Sequence, residues 1–479
     1  MLVLVNTNRM TPPIAPLGVE YVAGACRAAG VDVGVVDLCL AADPDTELSR
    51  YFADHQPDLV GLSFRNVDDC FWPSGESFLP TLAGDIRKVR SLTDAPIVTG
   101  GVGFSIFASQ IVECTGADFG IRGDGEQATV TLHDQLRSQL QFDRVPGLLW
   151  RENGKLRANA PAWPEDVSLP TDRSVLDNAA YFRLGGQAGL ETKRGCGRQC
   201  AYCADPAAKG PRQRLRDPKE IADEVESLLA QNVDVLHLCD CEFNLPIKHA
   251  LAVCDEFVAR SLRERLKWYA YLAVTPFDRQ LSERMAAAGC VGINFTGDSA
   301  NAAMLRTYRQ PHRRSDLQNV VDFCRANGMA VMIDLLLGGP GETPESVGET
   351  ISFMKRIGPD CVGAALGIRL YPDTPLTQAV LAEGPLSSNP NIRRNYGGEI
   401  DLLKLTFYVS QSLGEAPASL VRDLIDGDTR FFAPADLDAD TVRDHNYSDN
   451  QPLVDAIAAG ERGAYWDILR RLRDRSGRG

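Results

Sequence analysis

The sequence predicts an α/β protein: an open parallel sheet of flavodoxin or Rossmann type, then a partial (β/α)6 barrel of TIM type, then a small, mainly helical C-terminal region. Three observations predict it. Short Val/Leu/Ile-rich runs with little alternation recur along the chain, as strands covered on both faces require. These runs alternate with helical patterns, and strand–helix alternation builds parallel sheets. The length of 479 residues, with 44% hydrophobic and 24% charged, suits about three globular domains.

The elements follow in order. Leu2–Val5 reads as the first strand, with a helix around Gly18–Ala29. Val31–Leu38 and Asp58–Phe64 read as the second and third strands, followed by a helix near Phe78–Arg90. Pro96–Thr99 and Phe119–Ile121 complete the set. Ligands of such sheets bind at the carboxyl ends of the strands. Asn153-Gly154 between apolar runs signals a hairpin, and the proline-bearing stretch after it reads as a linker. Beyond it, six strands are expected at 189–192, 235–239, 267–271, 292–296, 330–337 and 361–369, with helices between them. The expected domains are 1–145, a hairpin and linker at 146–185, the barrel at 186–380, and a helical domain at 381–479, whose aromatic stretches pack on the barrel.

Charge and composition exclude some functions. Lys+Arg is 50 against 64 Asp+Glu, a net charge of −14, which disfavours a nucleic-acid partner. No apolar run is long enough to span a bilayer, so no membrane partner is expected. The N-terminus reads as a strand and not a signal peptide, so the expected location is cytoplasmic. Gly100, Gly101 and Gly103 follow the fourth strand, whereas a dinucleotide fingerprint follows the first, which argues against NAD. These glycines fit either a plain turn or the close approach of backbone to a ligand.

The thirteen cysteines are an odd number. Eight are scattered (Cys26, Cys39, Cys70, Cys114, Cys254, Cys290, Cys324 and Cys361) and are expected to be buried small hydrophobes. Cys196, Cys200 and Cys203 form C-x3-C-x2-C directly after a strand, and Cys239 and Cys241 form a second group. Three thiolates on one tight loop can hold three irons of a [4Fe–4S] cluster and leave the fourth open. Structural zinc is the alternative, with Cys239 or Cys241 as fourth ligand, but it prefers two close pairs.

In C-x3-C-x2-C with an aromatic at Tyr202, the chain resembles the radical S-adenosylmethionine enzymes. Further strings come in barrel order: CDCEFN at 239–244, NFTGDSA at 294–300, LLLGGPGET at 335–343 and GIRLYPDTPL at 367–376. Together with the N-terminal sheet they resemble the subgroup that has a cobalamin-binding domain. The resemblance implies a [4Fe–4S] cluster on Cys196, Cys200 and Cys203, with S-adenosylmethionine and cobalamin as the other cofactors. It implies that Glu242 faces the open iron or the amino end of S-adenosylmethionine, with further cofactor contacts from Tyr202, Asn294, Asp298, Ser299 and Arg369. On the sheet domain, cobalamin contacts are expected from Ser63, Arg65, Gly100, Gly101 and Gly103. An external flavodoxin- or ferredoxin-type electron donor is implied as well.

The chain departs from the subgroup at one point. Many cobalamin domains place a histidine below cobalt, in an Asp-x-His-x-x-Gly loop. None of His55, His133, His237, His249, His312 and His445 stands in that setting. Arg65, in SFRNVDDC, is expected near the cobalt, where a guanidinium is a very poor ligand and can block water; the alternative is a salt bridge to Asp68 or Asp69. Glu242 and Arg65 are therefore the expected catalytic residues.

The function the resemblance implies is methyl transfer from S-adenosylmethionine, via methylcobalamin, to a carbon of a small molecule or natural-product intermediate. A radical oxidation, cyclisation or rearrangement without methyl transfer is the second reading. A non-enzymatic iron–sulfur or cobalamin carrier is the third, and strand-end polar strings on six barrel units argue against it.

Overall fold

The structure is a computed structural model that describes residues 1–73, 75–434 and 447–476. The first sheet contains β1 (Leu2–Asn6), β2 (Val33–Asp37), β3 (Leu59–Ser63), β4 (Ile97–Gly100), β5 (Phe119–Ile121), β6 (Leu148–Glu152) and β7 (Lys155–Ala158), in the order 2-1-3-4-5-6-7. The first five are parallel in flavodoxin-like order, and the predicted hairpin extends the sheet antiparallel. Strand order reverses between β1 and β3, and Asn6, Asp37, Ser63 and Gly100 align along the carboxyl edge there. A helix the periodicity did not reveal, Pro44–Asp54, is started by the Asp43 carboxylate accepting from the Thr46 N–H.

The second sheet is parallel and barrel-like. Its strands, in spatial order, are Ala188–Leu190, Val235–Leu238, Lys267–Ala273, Cys290–Asp298, Ala330–Leu337, Cys361–Leu366 and Phe431–Phe432. The last is a seventh strand, added from the C-terminal region by pairing with Val362 and Gly363. Trp268, Ala270 and Leu272, Ile293 and Phe295, and Val331, Ile333 and Leu335 pack under the outer helices. Their alternates on each strand face the lumen. Trp466 of the helix Tyr465–Ser476 packs with Val235, Tyr269 and Met332 at the bottom of the lumen, and the Tyr269 hydroxyl donates to Asp467 at 2.8 Å. The C-terminal region also carries strand residues: Thr406–Tyr408 pairs antiparallel with Ile368–Arg369 and Ile392–Arg394. No helix among the described residues is long and apolar enough to cross a membrane.

Three of the scattered cysteines depart from the buried expectation. Cys39 is half-buried, and Cys70 and Cys114 are exposed. Cys70 sits at φ 59° on the loop after β3, and Cys114 lies near the end of the helix Ala108–Thr115, so neither faces a core. His445 lies outside the described residues.

The two sheets are joined through buried charge. Arg173, in the predicted linker, is fully buried and donates to Glu20 at 2.6 Å and to Glu224 at 2.8 Å. Glu20 belongs to the first domain's helix Leu17–Ala28, and Glu224 to the barrel helix Pro218–Leu229. Asn178 donates to the other Glu20 oxygen, Tyr21 donates to Glu224, and Arg216 pairs with Glu224 at 2.7 Å. Arg194 pairs with Glu126 at 2.7 Å, and Arg214 pairs with Asp124. The loop Arg122–Gln127 is thereby used for docking. Removing one partner of a buried pair strands the other charge. Arg173→Ala is expected to cost about 3–5 kcal/mol in urea unfolding of the cofactor-free chain; a change under about 1 kcal/mol would show that the cluster is not what joins the domains.

Candidate active site

The cluster loop begins just after the first barrel strand. Gly195 takes φ 80°, and a Cβ there would overlap the Arg212 carbonyl, so only glycine turns the chain into the loop. Cys196 is buried, and Cys200 and Cys203 are half-buried. The Arg198 N–H donates to the Cys196 sulfur at 3.4 Å, and the Gln310 amide donates to the Cys200 sulfur at 3.4 Å. Such N–H···S bonds suit thiolates that hold an iron–sulfur cluster. Burial raises all three thiols, Cys200 to about 11, which favours the protonated form until a metal takes the charge. Among the described residues no three His, Cys, Asp or Glu groups converge on one metal ion. A cubane does not need them to, because each thiolate binds a different iron.

Glu242 stands beside this loop, at the end of the second barrel strand. One oxygen accepts from the Thr296 hydroxyl at 2.9 Å, and the other is buried without a partner. Burial, offset partly by the Thr296 bond and by Arg198, pushes its carboxyl up to about 7. An unsatisfied buried carboxylate oxygen is a costly feature that a bound ammonium or metal would relieve. Lys193 holds the neighbouring backbone, donating to Asp240 at 3.1 Å and to the Phe243 carbonyl at 2.9 Å.

Other expected contacts are occupied by protein. The Tyr202 hydroxyl donates to both oxygens of Asp298, at 2.9 and 2.8 Å, and the Gln310 amide donates to Asp298 at 2.6 Å. Tyr202 and Asp298 therefore brace the cysteine loop against the fourth barrel strand. Ser299 is fully buried and bonds Thr350 at 3.0 Å, so it is part of the packing under the helix Pro344–Ile357 and does not join the site. Arg369 is buried and bonds Asp68 at 3.0 Å and the Leu402 carbonyl at 3.0 Å. It ties the sixth strand end to the loop after β3. Asn294 donates to Asp334 at 2.9 Å and faces the lumen.

On the first sheet, Gly101 and Gly103 serve the protein's own backbone. A Cβ on Gly101 would meet the Phe64 carbonyl at 2.5 Å, and one on Gly103 would meet Asn66 at 2.8 Å. The Gly103 N–H donates to the Arg65 carbonyl at 2.8 Å. The glycines thus seat the loop that carries Arg65. A Cβ on Gly100 would find only ordinary contact, with the Ile121 carbonyl. Asp68 is taken by Arg369 and Asp69 accepts from the Glu76 N–H at 2.9 Å; among the described residues Arg65 forms neither of the salt bridges expected as its alternative. Arg65 is exposed and touches the Met10 sulfur at 3.4 Å. The loop that carries it docks on the barrel three and five residues further on, where Arg369 bonds Asp68 at 3.0 Å and the Tyr371 hydroxyl donates to the Cys70 sulfur at 3.6 Å. The Ser63 hydroxyl, on the same edge, makes no hydrogen bond among the described residues, and the Ser63 carbonyl accepts from Thr7 at 2.6 Å. Among the described residues no histidine stands on these loops: His55 and His133 lie at the opposite edge, and His237, His249 and His312 belong to the barrel.

Sequence reasoning missed Gln310 and Asp334. Neither lies in a recognisable motif, and only the assembled barrel brings them to the site.

Residues 190–354 match the Radical SAM superfamily and residues 4–133 match the B12 binding domain. The chain is 29% identical to the tryptophan 2-C-methyltransferase of Streptomyces laurentii, over 97% of this chain and 94% of that protein. The structure of the radical S-adenosylmethionine methyltransferase TsrM of Kitasatospora setae, with tryptophan and an S-adenosylmethionine analogue bound, superposes with a TM-score of 0.91 at 29% identity, covering 100% of this chain and 99% of that one. A second structure of TsrM, with cobalamin and a [4Fe–4S] cluster bound, gives a TM-score of 0.88 at 27% identity, over 99% of both chains. With both domains matched and their strand-end edges facing one cleft, the chain is a cobalamin-dependent radical S-adenosylmethionine enzyme of the methyltransferase type.

Proposed function

We propose that this enzyme methylates a carbon of a small aromatic amine, with tryptophan as the first candidate. The observation that carries this reading is the shared cleft: the loop after β3 that carries Arg65 docks on the barrel through Asp68–Arg369 at 3.0 Å and Cys70–Tyr371 at 3.6 Å, while Glu242 and the cysteine loop stand at the barrel rim. When bound, cobalamin supplies a methyl carrier, and the cluster with S-adenosylmethionine supplies one-electron chemistry.

The chain's own residues do the positioning. Cys196, Cys200 and Cys203 hold the cluster, braced by Gln310 and the Arg198 N–H. Glu242 accepts from the ammonium of S-adenosylmethionine or faces the open iron, through its unpartnered oxygen. Arg65 is the first-domain residue that would face bound cobalamin in place of a histidine, and as a permanent cation it would exclude water without ligating. Ser63, unpartnered on the same edge, bonds the cofactor. Electrons enter from an external flavodoxin- or ferredoxin-type donor.

Two measurements check this reading. Anaerobic incubation of the cofactor-loaded enzyme with methyl-deuterated S-adenosylmethionine and tryptophan should give a product carrying the labelled methyl on a ring carbon. 5′-Deoxyadenosine without labelled product would favour oxidation or rearrangement instead. Glu242→Gln should weaken S-adenosylmethionine binding about tenfold or more, by loss of a charge-assisted bond; unchanged affinity and an unchanged cluster spectrum would contradict the role.

A further inference from the structure

Below the rim, the lumen has a polar floor that none of the roles above uses. The lumen-facing residues of the third to sixth barrel strands include Tyr271, Asn294, Asp334 and Gly363. Asp334 is half-buried and makes no ion pair among the described residues; its side-chain hydrogen bond is from the Asn294 amide at 2.9 Å. Asn294 is 3% exposed, and its amide oxygen has no hydrogen-bond partner. A Cβ on Gly363 would overlap the Asp334 carboxylate, so glycine on the next strand makes room for the charge. Tyr271 is 37% exposed and lies close enough to feel Asp334, as does Tyr447, so the floor is open on an aromatic side.

This arrangement lacks a cation. A half-buried carboxylate and a buried amide oxygen, side by side and both acceptors, leave a site that only a donor completes. Among the described residues no lysine, arginine or histidine pairs with Asp334. Burial and the nearby Asp298 push its carboxyl up to about 6, against the partial relief from Asn294.

We propose that Asp334 and Asn294 form the ammonium subsite for the substrate, the Asp334 carboxylate taking the charge and the Asn294 oxygen one N–H. The ligand class is a primary amine on a small aromatic body, held against Tyr271. This rests on the reading of the enzyme as an aromatic-amine methyltransferase. It moves Asn294 from the cofactor to the substrate.

The test is equilibrium binding to the full-length, cofactor-loaded enzyme under anaerobic conditions, with tryptophan, tryptamine and indole-3-propionate as probes. Wild-type protein should bind both amines at least about tenfold more tightly than the amine-free acid. Asp334→Asn should remove that preference and leave S-adenosylmethionine affinity unchanged. Asn294→Ala reads the same ratio should Asp334→Asn lose its cofactors. Wild-type binding of all three probes with equal affinity overturns the subsite alone. So does an equal loss for all three in the variants, or a fall in S-adenosylmethionine affinity with amine binding intact. Wild-type protein that binds none of the probes overturns the aromatic-amine reading and the subsite with it.

Discussion

Everything about this site depends on Arg173. Its guanidinium lies between a carboxylate of the first domain and one of the barrel, with all three groups withdrawn from water. Burying such charge is expensive unless every partner is in place. Here Asn178, Tyr21, Arg216 and the Gly189 carbonyl supply further partners. Moving the domains apart would expose or strand several charges at once. The cleft is therefore fixed by electrostatics that tolerate little displacement, and Arg369–Asp68 and Arg194–Glu126 repeat the device around it.

The fixed docking has a chemical consequence. Parallel strands put their carboxyl ends, and hence their variable loops, at one edge. Docking two such sheets edge to edge lets one cleft draw on both sets of loops. The cation comes from the first sheet, as Arg65. The acids come from the barrel, as Glu242 at the rim and Asp334 below it. Both acids are raised by burial and make no ion pair among the described residues, although Arg198 partly relieves Glu242, so the barrel side of the cleft is prepared for positive ligands.

How much of this was legible in the sequence follows from the range of each interaction. The strands and most helices were legible because local hydrophobic runs set them, and the helix Pro344–Ile357 falls where its periodicity places it. The cysteine loop was legible because its ligands are seven residues apart or fewer. The partners of Arg369 and Ser299 were not legible because proximity to a strand end says nothing about which way a side chain turns; Arg369 turns to Asp68, 301 residues away. Gly101 and Gly103 were rightly singled out, but the neighbour they admit is the Phe64–Val67 backbone, which no local pattern encodes. The seventh strand, Phe431–Phe432, is two residues long and becomes a strand only by pairing.

The central proposal is that the two docked edges would hold cobalamin with Arg65, and no histidine, on the first-domain side of the cofactor. The direct measurement is electron paramagnetic resonance of the full-length protein loaded with hydroxocobalamin and reduced to the cobalt(II) state. The account predicts a spectrum without nitrogen superhyperfine splitting. A threefold nitrogen splitting on the cobalt lines would contradict it.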